Sequence, residues 1–168
     1  MSHKNNELVT WFSLCAQGTG MSDFERKLYN AAKPIVSFFD SFGCRRKSHT
    51  GTIGVIPLAK GGQINLTMSN ENNADGQITS LIFGLTHQPQ HGNSYNHFKA
   101  IRVELNLSQE PQFTLLNTNG VDDPEIKSGD PRKVMGPFLS TMEGPLEELF
   151  LPMVDRKFFY SERHLAPR

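Results

Sequence analysis

The sequence predicts an α+β protein: an antiparallel five-stranded meander sheet flanked by an N-terminal helix and short C-terminal helices. Three observations predict it. Residues 22–42 carry a capped apolar stripe of helical period, residues 51–117 alternate apolar and polar residues between short turn signals, and the chain beyond residue 130 is helical in composition but broken by proline. At 168 residues the chain fits one domain. Residues 1–20 stand apart as an N-terminal segment whose order the sequence leaves open, ahead of a single α+β domain over 21–168.

The helix begins at a capping box, Ser22-Asp23-Phe24-Glu25, in which the Ser22 and Glu25 side chains each serve the other's backbone N–H. Phe24, Leu28, Ala31, Ile35, Phe38 and Phe42 follow at spacings of four and three, one stripe facing a core. Gly43 suits the left-handed residue that ends a helix. Pro34 removes a donor inside the run, so a kink or a split into two helices is expected there.

Residues 51–58 and 62–68 form a hairpin around Lys60-Gly61-Gly62. A polar loop, Ser69 to Gly76, leads to a third strand over 77–86, with Leu81, Phe83 and Leu85 on one side and Ile78 and Ile82 on the other. The fourth strand, 98–107, turns Ile101, Val103, Leu105 and Leu107 inward and Ala100, Arg102, Glu104 and Asn106 outward. The fifth, near 112–117, ends at the turn signal Asn119-Gly120. Strands that are apolar on both sides need a second layer, supplied by the terminal helices, a curl of the sheet or a partner subunit. In the tail, Asp130-Pro131 is an N-cap and first-turn pair, and breaks at Gly136-Pro137, Gly144-Pro145 and Pro152 divide the rest into short helices. The element order is similar to that of helix-plus-meander modules such as bacterial secretion chaperones and small ligand-binding folds, a likeness of topology that carries little function.

Seventeen Lys and Arg balance seventeen Asp and Glu, which argues against a nucleic-acid binder working by bulk phosphate attraction. No apolar run approaches the roughly 18 residues of a membrane span. The apolar stretch Leu8 to Ala16 holds Thr10 and Ser13, follows Glu7 and lacks a small-x-small site, so a secretory leader is not expected and a cytoplasmic protein with reduced Cys15 and Cys44 is. No P-loop, GxGxxG, GxSxG, HExxH or calcium-loop pattern occurs. No catalytic residue and no cofactor are therefore assigned.

Three constellations remain. His87, His91 and His97 sit among Gln and Asn between the third and fourth strands and are candidate metal ligands, against the simpler reading of a solvated loop. Arg45, Arg46 and Lys47, between Cys44 and Ser48-His49, are a candidate anion or nucleic-acid contact, and their charge would favour a Cys44 thiolate; otherwise they are a solvated connection. Trp11-Phe12 and Phe158-Phe159-Tyr160 put aromatics near both ends, as core closure or as a docking surface. The function expected is thus a non-enzymatic protein-binding module, an adaptor, chaperone or inhibitor-like accessory protein. Its partner would be another protein or a second copy, docked on an apolar sheet face or an aromatic terminal segment.

Overall fold

The computed structural model describes residues 7–41, 43–58, 61–91, 96–117 and 122–140, with the side chains of residues 96–98, 122–125 and 140 left out of the description. Its elements are α1 (Glu7–Cys15), α2 (Asp23–Ser41), β1 (Arg45–His49), β2 (Thr52–Pro57), β3 (Gln63–Asn72), β4 (Ile78–Gln88), β5 (Asn96–Leu105), β6 (Pro111–Leu116), β7 (Asp122–Ser128) and α3 (Pro131–Ser140). The strands form one antiparallel sheet in the order β1-β2-β3-β4-β5-β6-β7, each paired with its neighbours in sequence. The class is α+β as expected, with seven strands among the described residues instead of five. No helix among the described residues is long and apolar enough to cross a membrane.

The two unexpected strands have a common explanation. β1 reads Arg-Arg-Lys-Ser-His and β7 contains Asp122, Asp123 and Pro124, so neither shows apolar alternation. Both lie at the edges of the sheet, where one flank needs no apolar cover and charge and proline are common. β3 and β4 also run further than expected, carrying the polar segment Ser69–Asn72 into the ladder opposite Ile78–Ile82.

α2 is terminated as the sequence implies. The Ser22 N–H donates to Glu25 Oε1 (2.9 Å) and the Glu25 N–H to Ser22 Oγ (3.1 Å). At the other end Gly43 takes φ +86°, the Cys44 N–H reaches the Phe39 carbonyl and the Gly43 N–H that of Asp40, a Schellman closure. Pro34 neither splits the helix nor ends it, because it lies on the exposed face, where water serves the carbonyl it leaves unpaired. The buried stripe is rotated from the expected one: Leu28, Tyr29, Ala32, Ile35, Val36 and Phe39 are covered, while Phe24, Ala31 and Phe38 are half-buried and Phe42 lies outside the described residues. The rotation follows from α1, which packs beside α2 and stacks Phe12 on Tyr29 (centroids 5.2 Å apart).

Glu25 also ties α2 to the sheet, since its Oε2 accepts the Ile78 N–H at 2.8 Å. Hydrogen bonds from the Ser22 and Ile78 amides hold this carboxyl below its usual pKa. The stability it contributes is therefore present above the ordinary carboxylate range and lost as pH falls through the depressed value. Glu25→Ala is expected to cost about 1 kcal/mol at pH 7, and the wild-type advantage should shrink toward pH 3 in urea titrations.

All three helices cover one face of the sheet, which presents Ile64, Leu66, Leu81, Phe83, Leu85, Ile101, Val103, Phe113 and Leu115, all buried. Ile78 packs against this core and not beside Ile82 as expected, because the register slips between Glu71 and Asn72 and turns the start of β4 over. Leu107, expected inside, is fully exposed in the Asn106–Glu110 turn, two residues beyond the end of β5. α3 starts at Asp130, whose Oδ1 accepts the Arg132 N–H at 3.0 Å, and it runs through Gly136-Pro137 where a break was expected. Its Val134, Met135, Phe138 and Leu139 are buried, which anchors the helix across that weak point. The expected breaks at Gly144-Pro145 and Pro152 lie outside the described residues.

Candidate docking site at the sheet edge

The apolar sheet face, expected as one docking surface, is occupied by the chain's own helices. The opposite face is polar. Gln63 donates to Asn65 Oδ1 (2.7 Å) and to Gln88 Oε1 (3.2 Å), Asn65 donates to Thr86 Oγ1 (3.3 Å), and Arg102 pairs with Glu71 (3.0 Å) while the Ser80 hydroxyl donates to the same carboxylate. These side chains are hydrogen-bonded to one another, and half-buried Ile82 and Ala100 share the face with them.

The two adjacent aromatics of α1 have different fates. Phe12 is 1% exposed, stacked on Tyr29 and edge-on to Phe83 at 6.1 Å, so this member of the expected docking pair is a core residue. Trp11, one step round the helix, is half-buried and reaches the β1 edge of the sheet. There the Arg46 guanidinium lies over its ring, 3.8 Å from the centroid, in cation–π contact. Arg46 Nη1 also donates to the Lys47 and Ile53 carbonyls, which fixes the plane of the group. Sequence reading placed Trp11 and Arg46 in separate constellations, and the fold brings them together.

Beside this pair opens a cleft of about 470 Å³, whose lining includes Trp11, Arg46, Ser48, His49, Thr50 and Met68. The β1–β2 turn forms its rim: Gly51 holds φ +77°, a conformation that disfavours a side chain, and its carbonyl accepts the Met68 N–H at 2.9 Å. Arg45 pairs in register with Val55 and Arg46 with Gly54, so the two arginines stand on opposite faces. Arg45 and Lys47 are exposed, and no ion pair engages either among the described residues. The cleft and its turn went unrecognised in the sequence; the Gly51-Thr52 pair was the available signal for a tight turn after a short strand.

Burial disposes of Cys44 as a nucleophile. Its side chain is fully buried beneath Gly54 and Leu8, and burial, with the nearby Asp40 charge adding to it, pushes the thiol up to about 12. The arginines that follow it in sequence do not lower it. Burial also raises the Cys15 thiol, against the opposing charge of Arg46.

Asp40 is 7% exposed, and its Oδ2 accepts the Val9 N–H at 2.9 Å, so it caps α1 from the end of α2. Its Oδ1 has no partner among the described residues. Burial raises the Asp40 pKa, the Val9 N–H opposes the rise, and Glu7 adds to it. A raised folded-state pKa means stability that is full below the ordinary carboxylate range and declines as pH rises through the folded value. Asp40→Asn keeps an acceptor for Val9 without the charge, so its melting temperature is expected to exceed wild type at pH 7 and to match it near pH 3. Asp40→Ala should lose about 1 kcal/mol of capping at either pH.

The remaining expected residues divide in two. His87 lies in β4 opposite Asn96, His97 pairs with Thr86, and His91 is exposed after β4, with the His97 side chain outside the described residues. Among the described residues no group of three His, Cys, Asp or Glu stands in metal-binding geometry. Phe158, Phe159 and Tyr160 lie outside the described residues. No protein-family model, curated protein or solved structure matches this chain.

Proposed function

We propose that the chain is a non-enzymatic, cytoplasmic protein-binding module, adaptor- or chaperone-like, whose docking centre is the Trp11–Arg46 cleft. One observation carries the reading: a tryptophan and an arginine are stacked in a cleft beside the β1–β2 turn, at the end of the edge strand of the described sheet. Trp and Arg dominate the energetic centres of protein interfaces. Arg46 is already held by the Ile53 carbonyl and the Trp11 ring, so little side-chain freedom is lost on docking.

A photo-crosslinking amino acid in place of Ser48, at the cleft, tests this in the native cell. A discrete protein adduct is expected from position 48, absent from a control position at Lys33 on the exposed face of α2, and lost on Arg46→Glu. Equal adducts from both positions, or adducts indifferent to Arg46→Glu in a folded variant, would remove the reading.

A further inference from the structure

Among the described residues the sheet ends at β1, which has β2 on one flank and no strand on the other. An edge strand presents backbone N–H and C=O groups at alternate residues to whatever chain can pair with it. β7, at the other edge, contains Pro124, which has no N–H to give, so β1 is the edge fitted to accept a strand. Its outward residues are cationic and exposed at Arg45 and Lys47, with His49 at its end. That charge repels a second copy of β1, the usual protection of an edge, and attracts a strand of opposite sign.

We infer that β1 takes up an extended acidic segment of a partner protein as an eighth strand, clamped at one end by the Trp11–Arg46 cleft. This deepens the docking reading above and rests on it. Because Arg45 and Arg46 stand on opposite faces, an added strand that alternates carboxylate and apolar residues sets its carboxylates on the Arg45 face and its apolar side chains on the face of Arg46 and Trp11. Five residues of β1 give few backbone bonds, so the cleft supplies the remaining anchorage through an apolar side chain set beside Trp11 and Met68. A nucleic acid is the poorer fit: the chain's net charge is zero, the cations are confined to one strand, and Arg46 already donates to two carbonyls.

Trp11 is the only tryptophan of the chain, so its emission reports on this site alone. Titration with an eight-residue peptide alternating glutamate and valine is expected to shift that emission saturably. The lysine–valine counterpart should give no shift, and the glutamate peptide N-methylated at alternate amides should bind at least tenfold more weakly. Lys47→Glu, which leaves Trp11 and its stacking arginine intact, should weaken the glutamate peptide at least tenfold. Equal binding of the N-methylated peptide would overturn strand addition. Tighter binding of a single-stranded oligonucleotide in the same assay, or an emission shift driven by protein concentration alone, would assign the edge to nucleic acid or to a second copy and overturn the proposal. If the peptide fails while the position-48 adduct still depends on Arg46, this inference falls and the docking reading stands.

Discussion

Phe12→Ala is expected to lower the unfolding free energy by about 3–5 kcal/mol, enough to leave a domain of this size marginal or unfolded at 37 °C. The side chain is 1% exposed and forms a three-ring contact, stacked on Tyr29 of α2 and edge-on to Phe83 of β4. Truncation leaves a cavity between three elements that cannot all close on it, and aromatic pairing is lost in addition to the buried area. Phe12→Leu should recover more than half of the loss. The adjacent Trp11→Ala should cost less in urea denaturation while abolishing peptide binding measured by titration calorimetry. A surface role for Phe12 would instead give a stable variant, and a near-zero change in denaturation midpoint would contradict the packing described here.

Gly54→Ala should show the next largest effect, about 1–3 kcal/mol, at a substitution that is ordinarily mild. A Cβ at position 54 would fall 2.4 Å from Cys44 Sγ and 3.3 Å from the Arg45 carbonyl, and β2 cannot retreat without breaking its pairs with β1 and β3. The sulfur must move, and it is fully buried. Cys44→Ala removes the atom that clashes. The double variant Cys44→Ala/Gly54→Ala is therefore expected to be more stable than Gly54→Ala alone, with a coupling of at least 1 kcal/mol in a double-mutant cycle. Strictly additive losses would show that the close approach is not the cause.

Where local chemistry decides structure, the sequence was sufficient. The Ser22–Glu25 box, the Gly43 closure, the Asp130 cap and the alternation of Ile101 and Val103 each depend on a few neighbouring residues, and each stands where expected. Where the outcome depends on a distant neighbour, it was not. The α2 stripe turned because α1 packs beside it, Ile78 changed sides because of a slip against Glu71, and β1 and β7 are strands only because β2 and β6 offer ladders. The candidate site belongs to this second kind. Trp11 and Arg46 are 35 positions apart, and neither α1 nor β1 carries a pattern that announces the other. Which of Trp11 and Phe12 enters the core is left open by the sequence for the same reason, since helical phase alone does not say which of two adjacent aromatics finds a partner.

The consecutive order of the strands also bears on how the molecule reaches this state. Each ladder joins neighbours in the chain, so the sheet can zip through successive hairpin closures at small entropic cost. The joining of α2 to β4 and β5 spans a far longer stretch and has to wait for that template. Docking of the helix pair on the sheet is then expected to be the late step of refolding, which the emission of the indole on α1 would time.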